Sequence, residues 1–474
     1  MNCRTFRRFE IASSSLCCGL LAAVILTLGA CSTNSRPLSD AYASSMRNGS
    51  ESAMATTQAY VEHFYPLWFT YHQARENSLV GATNHLAGPV AMSPICNYVV
   101  ANNDGTLYAG AFLDLRAEPI ILTIPAARVT YSILIVDAYG SILHAAIPQN
   151  TPGVNALTGP AFSRTLPGGV TRIRMPLDFA VMFFRADKFS STGQDQTEPA
   201  NAFRKALKSQ PLSKFLSDPD GGSTRIVSEF LLAAPFKSMA DALLEHAPLL
   251  FLEQLQTAVR APNTPPLTPG GRALSSQFNA LFADARIPRS EFRAGARKAH
   301  EAILDGYLTH TGPNNWIHFT DIGAWGDDVL ARASTTEFLQ FSNGVDTAAY
   351  YHAFRDRTGR ALNESSEGGY VLTFPAGSLP KAKRFWSLTA YTPRTIELVP
   401  NPAHKYLVAS YTPALEYKRD GSLTIYMATL APPGVPRTNW VPVPDGPFDV
   451  LLRVYGPEQG VLEGSCTPPG IEKN

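Results

Sequence analysis

The feature that most limits the fold is a change of period along the chain: strand-like runs, then helix-like spacing, then strand-like runs again. From about residue 97 to 186 come short β-branched and aromatic runs broken by Gly and Pro, of which EPIILTIP and VTYSILIVDAYG are the clearest. Residues 368–457 repeat the pattern with YVLTFP, RFWSLTAY, HKYLVAS, SLTIYMATL and FDVLLRVYG. Asp420-Gly421 predicts a hairpin turn into SLTIYM. Many short strands with frequent turns favour sandwiches or jelly rolls over a parallel sheet.

The helical signals are equally local. In residues 58–76, Tyr60, Val61, Phe64, Leu67, Trp68 and Tyr71 recur at three- and four-residue spacing, predicting an amphipathic helix that Pro66 bends. In SEFRAGARKAHEAILDGYL, Phe292, Ala296, Ala299, Ile303 and Tyr307 share one face behind an N-cap at Ser290. SMADALLEHAPLLFLEQLQTAV and GDDVLARASTTEFLQF also read as helices, and APNTPPLTPGG reads as a loop. The predicted fold is α+β, mainly β: two β-sandwich or jelly-roll-like domains, 56–196 and 350–474, joined by a helical segment, 197–349.

Ahead of these lies an address. Arg4, Arg7 and Arg8 precede the apolar run LCCGLLAAVILTLGA, which is short for a spanning helix. Its end, Leu28-Gly29-Ala30-Cys31, resembles the bacterial lipobox. The expectation is a signal peptide over 1–30, diacylation of Cys31 and anchoring in the envelope. Ser32 in place of an aspartate favours the outer membrane, with the protein facing the periplasm. Residues 31–55, rich in Ser, Asn and Thr, read as a flexible tether. Loss of 1–30 removes three Arg and one Glu and turns the formal +1 into about −1. That balance offers no concentrated basic face for nucleic acid. Of six cysteines, Cys96 and Cys466 would remain beside Cys31. They are a candidate disulfide in an oxidising compartment, with two separate buried thiols as the alternative.

Catalytic motifs are few. GxSxG, GxGxxG, GxxxxGK[ST] and HExxH do not occur, and His300-Glu301 lacks the second histidine of a zinc motif because residue 304 is Leu. Ser378-Leu379-Pro380-Lys381 matches SxxK by letter only, inside a proline-containing turn. No histidine pair has a metal spacing, so the sequence assigns neither a metal nor a cofactor. Two clusters carry usable chemistry. GPNNWIHFTDIGAWGDD combines Trp316, His318, Asp321 and Trp325, a mix found in sugar and small-molecule sites; an aromatic anchor for the helices is the plainer explanation. NNDGTLY offers Asn102, Asp104 and Tyr108 at a strand entrance, where turn chemistry already accounts for the asparagines. Asp104, Tyr108, His318 and Asp321 are the catalytic candidates, and Asn102, Trp316 and Trp325 the ligand-binding ones.

The stretch NNDGTLYAGAFLDLRAEPIILTIP…YSILIVDAYG resembles the domain-of-unknown-function family 1254, marked by Asn-x-Asp-Thr-x-Tyr, Leu-Asp-Leu and Glu-Pro. YVLTFPAGSLPKAKRFWSLTAY, LVPNPAHKY, DGSLTIYM and NWVPVPDGPFDVLLRVYGPEQGVLEGS resemble its usual partner, family 1214. The resemblance implies two β-sandwich domains joined by helices in a secreted or envelope protein, and no settled activity. Gly105 interrupts the first motif, and Cys466 stands where the second family has an aromatic. Three functions follow as expectations: a lipid-anchored protein binding a small organic, lipid or glycan ligand between its sandwiches; a hydrolase or lyase using acid/base or metal-assisted chemistry; or a structural envelope component.

Overall fold

The computed structural model describes residues 40–80, 83–94, 96, 98–143, 151–227, 235–364 and 368–474. The expected signal peptide, 1–30, and Cys31 lie outside the described residues. Residues 46–474 cluster as one unit and 1–45 as another. The chain opens with helix α1 (Asp40–Val80), followed by strands β1 (Ala87–Pro89), β2 (Thr106–Asp114), β3 (Ile120–Ile124), β4 (Tyr131–Val136), β5 (Gly153–Thr158), β6 (Thr171–Arg174) and β7 (Phe179–Asp187). Then come α2 (Thr197–Ala206), β8 (Lys208–Pro211), α3 (Leu212–Ser217) and β9 (Arg225–Val227). Helices α4 (Phe236–His246), α5 (Pro248–Arg260), α6 (Pro269–Ala283), α7 (Arg289–Leu308) and α8 (Val329–Leu339) make up the middle. The second β block holds β10 (Ala348–Ala353), β11 (Tyr370–Phe374), β12 (Ala382–Tyr391), β13 (Leu407–Ala409), β14 (Leu423–Ala428), β15 (Trp440–Pro442), β16 (Asp449–Pro457), α9 (Gln459–Leu462) and β17 (Glu472–Lys473).

This is an α+β fold with two β domains. In the first, a sheet ordered β4-β7-β2-β1-β9 packs on one ordered β6-β5-β3-β8. In the second, β10-β16-β12-β13 packs on β15-β14-β11-β17. Alternation assigns the faces. Leu107, Ala109, Ala111 and Leu113 of β2 point into the first sandwich with Ile120 and Leu122, while Phe112 points out, toward the helices. Val450, Leu452 and Val454 of β16 fill the second sandwich with Trp386 and Leu388, while Leu451 and Tyr455 point toward the first domain. Both faces of β16 are therefore covered, which explains why DVLLRVY reads as a nearly unbroken apolar run.

Several expectations change. Residues 40–55, read as tether, belong to α1, which runs on through Pro66. Its middle is buried almost all round: Tyr60, Val61, Phe64, Tyr65, Leu67, Trp68 and Phe69 are all inaccessible, packed among α4, α5, α6, α7 and the first sheet. Ser290 is not a cap, since Pro288 precedes the first turn of α7. The helix predicted over SMADALLEHAPLLFLEQLQTAV divides at Ala247, where Pro248 starts α5. The end of the predicted loop, PGG, begins α6, capped by Thr268 Oγ1 on the Gly271 amide at 3.1 Å. Asp420-Gly421 forms a tight turn, with Gly421 donating to Lys418 O at 2.9 Å, but no strand precedes it; β14 pairs instead with β11 and β15. Cys96 and Cys466 are free thiols. They pack in different places, Cys96 between the domains and Cys466 against the second sandwich core, so no bridge joins them.

Burial of α1 makes the fold sensitive to acid. Burial lowers the pKa of His63 from 6.5 to about 4, helped by the Arg332 charge, and that of His72 likewise to about 4, helped by Arg75. Both histidines take up protons more readily once unfolded, so their contribution is complete above pH 6.5 and is lost as pH falls toward 4. The thermal midpoint should drop over that window, and His63→Gln/His72→Gln should flatten the profile. An unchanged slope in the double variant would refute this origin.

Candidate functional site

The outward face of the first sheet divides in two. Phe112 and Val181 lie under the helices, whereas Tyr108 on β2 and Arg185 on β7, directly opposite in the ladder, face the second domain. Thr106 and Asp187 are the next such pair. Across the gap stands the outer face of β10, β16 and β12, where Tyr350, Arg453 and Ser387 share one register line. Asp187 takes a two-pronged ion pair from Arg384, including Nε to Oδ2 at 2.9 Å, and this locks the domains together.

Residues 101–103 thread between the two faces. Asn103 Nδ2 donates to Tyr455 Oη at 3.2 Å, and its Oδ1 accepts the Gly105 amide at 3.0 Å. Asn102 O accepts the Tyr391 hydroxyl at 2.5 Å, and Ala101 O accepts Arg453 Nη2. Gly105, the residue that breaks the family motif, is fixed by space: a Cβ there would sit 2.7 Å from Tyr411 Oη.

Two guanidinium groups line the resulting cleft. Arg185 donates to Asn343 Oδ1 at 2.8 Å and to Phe341 O at 2.6 Å, and lies 5.5 Å over the Tyr108 ring. Arg453, 2% exposed, sits 5.5 Å over the Tyr391 ring, and its Nη1 meets no acceptor. Neither has a carboxylate within ion-pair distance among the described residues. Burial raises the Tyr391 phenol to about 12 and Tyr455 further, so both stay neutral hydroxyls and supply no counter-charge. Burying an ion without its partner costs several kcal/mol. The carbonyls that hold the two arginines come from Ala101 and Phe341, which have φ of 53° and 58°; Ile396, whose carbonyl accepts the Ala101 amide, has 52°. Left-handed backbone at non-glycine residues costs on the order of 1–3 kcal/mol each and marks a place the surrounding structure over-determines.

The cleft opens into two chambers. One, with about 440 Å³ free of protein atoms, is lined by Asn102, Tyr108, Arg185, Tyr350, Arg453 and Tyr455 among others. The second, about 660 Å³ when the solvent at its mouth is counted, is apolar, with Met92, Cys96, Phe112, Val181 and Phe183 in its wall. Val99, Asn102, Tyr108 and Phe183 belong to both.

The sequence candidates scatter. Asn102 and Tyr108 line the chambers. Asp104 pairs with Lys188 at 3.0 Å, burial pushing its carboxyl up against the pull of that charge. Trp316, held by Nε1 to Pro469 O at 2.8 Å, and His318, stacked 4.3 Å from Tyr351, border a separate hollow of about 740 Å³ with Cys466. Trp325 packs beside Gly140, and Asp321 is exposed. Arg185, Arg453, Tyr350 and Tyr455 were missed. Their signal was available: a single Arg inside each of the apolar runs AVMFFRA and DVLLRVY.

One further polar cluster is buried. Lys237 contacts Asp241 at 2.9 Å and also Glu337, which is 0% exposed and accepts the Tyr65 hydroxyl at 2.5 Å; His300 Nε2 lies 3.1 Å from Asp241. Asp241, His300 and Glu337 hold donor atoms within 4.8 Å of one another, the only such metal-type group among the described residues. The Lys237 ammonium already touches both carboxylates, and that attraction outweighs burial and keeps it charged. Lys237→Met should therefore cost about 3–5 kcal/mol by stranding Glu337, and adding Glu337→Gln should restore more than half. Urea unfolding of both variants checks this, and equal losses would exclude a mutual pairing.

Models of two protein families match the chain. Residues 82–211 match "Protein of unknown function (DUF1254)", and residues 347–459 match "Protein of unknown function (DUF1214)". Among solved structures, the VPA0106 protein from Vibrio parahaemolyticus is similar at 19% identity and a TM-score of 0.55, covering 89% of this chain and 100% of its own. An uncharacterized protein from Burkholderia cenocepacia aligns at 14% identity and a TM-score of 0.40, over 92% and 95% of the two chains. No curated protein matches.

Proposed function

Since the chain belongs to the proteins that join a DUF1254 domain to a DUF1214 domain, we propose that it is a binding protein that holds a small organic ligand in the cleft between those domains. The observation that carries this reading is a pair of adjoining chambers, a polar one walled by both domains and an apolar one walled by the first domain, with four residues common to their walls. Ligand sites favour such concave, largely apolar places with a few convergent polar groups. The lipobox-like Leu28-Gly29-Ala30-Cys31 supports an envelope location, with the membrane reached through lipidated Cys31. No helix among the described residues is long and apolar enough to cross a membrane. Asp104 pairs with Lys188, Tyr108 lies under Arg185, His318 bonds Tyr350 O in another hollow and Asp321 is exposed, so an acid/base enzyme built on the four is the weaker reading.

Native mass spectrometry of the full-length protein should detect a retained organic species. Val99→Trp, which fills the passage common to both chambers, should lose it at an unchanged melting temperature. A wild-type protein that carries no adduct, and whose melting temperature no envelope small-molecule extract shifts, would overturn the proposal.

A further inference from the structure

We propose that the ligand of this cleft is a single-tailed amphiphile with an anionic head, a carboxylate in the simplest case. Its head would lie against Arg453 in the polar chamber and its hydrocarbon tail in the apolar one. The inference rests on the binding reading above and adds the ligand's chemistry.

The charge inventory carries it. Arg453 is buried and always protonated, and its Nη1 meets no acceptor, although the group lines the chamber. No acidic group among the described residues forms an ion pair with it. Asp187 is held by Arg384 and Asp104 by Lys188, while Asp449, four residues along β16, bonds His352 through Oδ1 at 2.7 Å and reaches Arg453 only through its field, its Oδ2 having no hydrogen-bond partner. Arg185, on the facing sheet, adds a second positive charge whose two protein acceptors are neutral. Tyr350, Tyr455 and Tyr108 line the same chamber with phenol groups. The chamber thus presents two cations and neutral hydroxyls with no anion of its own. A cationic head would be repelled there, and a neutral head would leave both guanidinium groups without an ion-pair partner.

The adjoining wall sets the other half of the molecule. Met92, Phe112, Val181 and Phe183 offer apolar surface, and Gly110 on β2 lets the Phe183 ring lie against the sheet, since a Cβ there would sit 2.8 Å from it. A second charged or strongly hydrated group at the far end would lose its hydration there with no protein charge to replace it. One head and one tail satisfy both chambers.

Isothermal titration of the full-length protein with octanoate, dodecanoate, 1-octanol and octylamine tests this. A carboxylate should bind about tenfold or more tighter than 1-octanol, and octylamine should bind more weakly than either. Arg453→Met should erase the preference for carboxylate while 1-octanol affinity stays within about twofold. Should Arg453→Met fail to fold, Arg453→Lys should keep charge selectivity with a reduced preference. Equal affinity for carboxylate and alcohol, or an undiminished preference in Arg453→Met, would overturn the assignment of the head group and leave the binding reading intact. So would a retained native ligand of neutral or cationic mass signature in a protein that binds neither carboxylate. Absence of any ligand, native or added, would remove both. The mass of an extracted anionic ligand then separates a free fatty acid from a lysophospholipid or another acyl compound.

Discussion

The structure depends on one constraint: the sheet β10-β16-β12 has a second face that is polar and yet buried. Its inner face is ordinary sandwich core, built from residues such as Trp386, Leu388, Val450, Leu452 and Val454. The outer face carries Tyr350, His352, Ser387, Thr389, Tyr391, Asp449, Arg453 and Tyr455, and the first domain covers it together with α7, α8 and the segment between them. A buried polar group without a partner is expensive, so such a face dictates how its neighbour must dock. His352 shows the principle. Its Nε2 donates to Asp449 at 2.7 Å, and its Nδ1 accepts the Tyr307 hydroxyl of α7 at 2.8 Å, which ties a helix to two strands through one imidazole. Arg384 and Tyr391 reach the other way, to Asp187 and Asn102. Domain orientation is therefore set by directional bonds as well as by apolar area.

The helical layer answers a different need. The outer face of the first sheet is longer than the second domain can cover, and its remaining half is apolar at Phe112, Leu134, Phe179 and Val181. α1 covers it and is in turn surrounded by α4, α5, α6 and α7. Packing on every side explains the sequence VEHFYPLWFTY, which has too many aromatics for an amphipathic surface helix. It also explains how Pro66 is accommodated: tertiary packing, rather than helix propensity, stabilises the element.

These two burial patterns decide how much of the molecule could be read from sequence. Where a strand alternates cleanly, as in YVLTF, or a helix repeats at three and four, as Phe292 to Tyr307 does, the element was legible because one face meets water or a single neighbour. α6 was not, because its first turn is Pro-Gly-Gly, composition that otherwise signals a loop. The cleft was half legible. Asn102 and Tyr108 stood out through their turn chemistry and position at a strand entrance. Arg185 and Arg453 did not, because their significance arises only when strands 268 residues apart in sequence face each other across the domain boundary. Periodicity identifies a face and cannot say what covers it.

Of the eight non-glycine residues with left-handed backbone among the described residues, three, Ala101, Phe341 and Ile396, lie at this cleft or hydrogen-bond to a residue that does. Two of the three point carbonyls at the arginines, so the strain has a definite consequence: it supplies neutral acceptors where carboxylates would be the cheaper solution for stability. An aspartate in place of Asn343 would pair Arg185 directly and leave no positive charge for anything else to meet. Arg204, the other buried guanidinium without a carboxylate among the described residues, is held by the carbonyls of Pro89, Tyr108 and Val90 and by Asn201 Oδ1, whereas Arg453 lines a chamber with its Nη1 free, so a bound molecule can complete the pairing there.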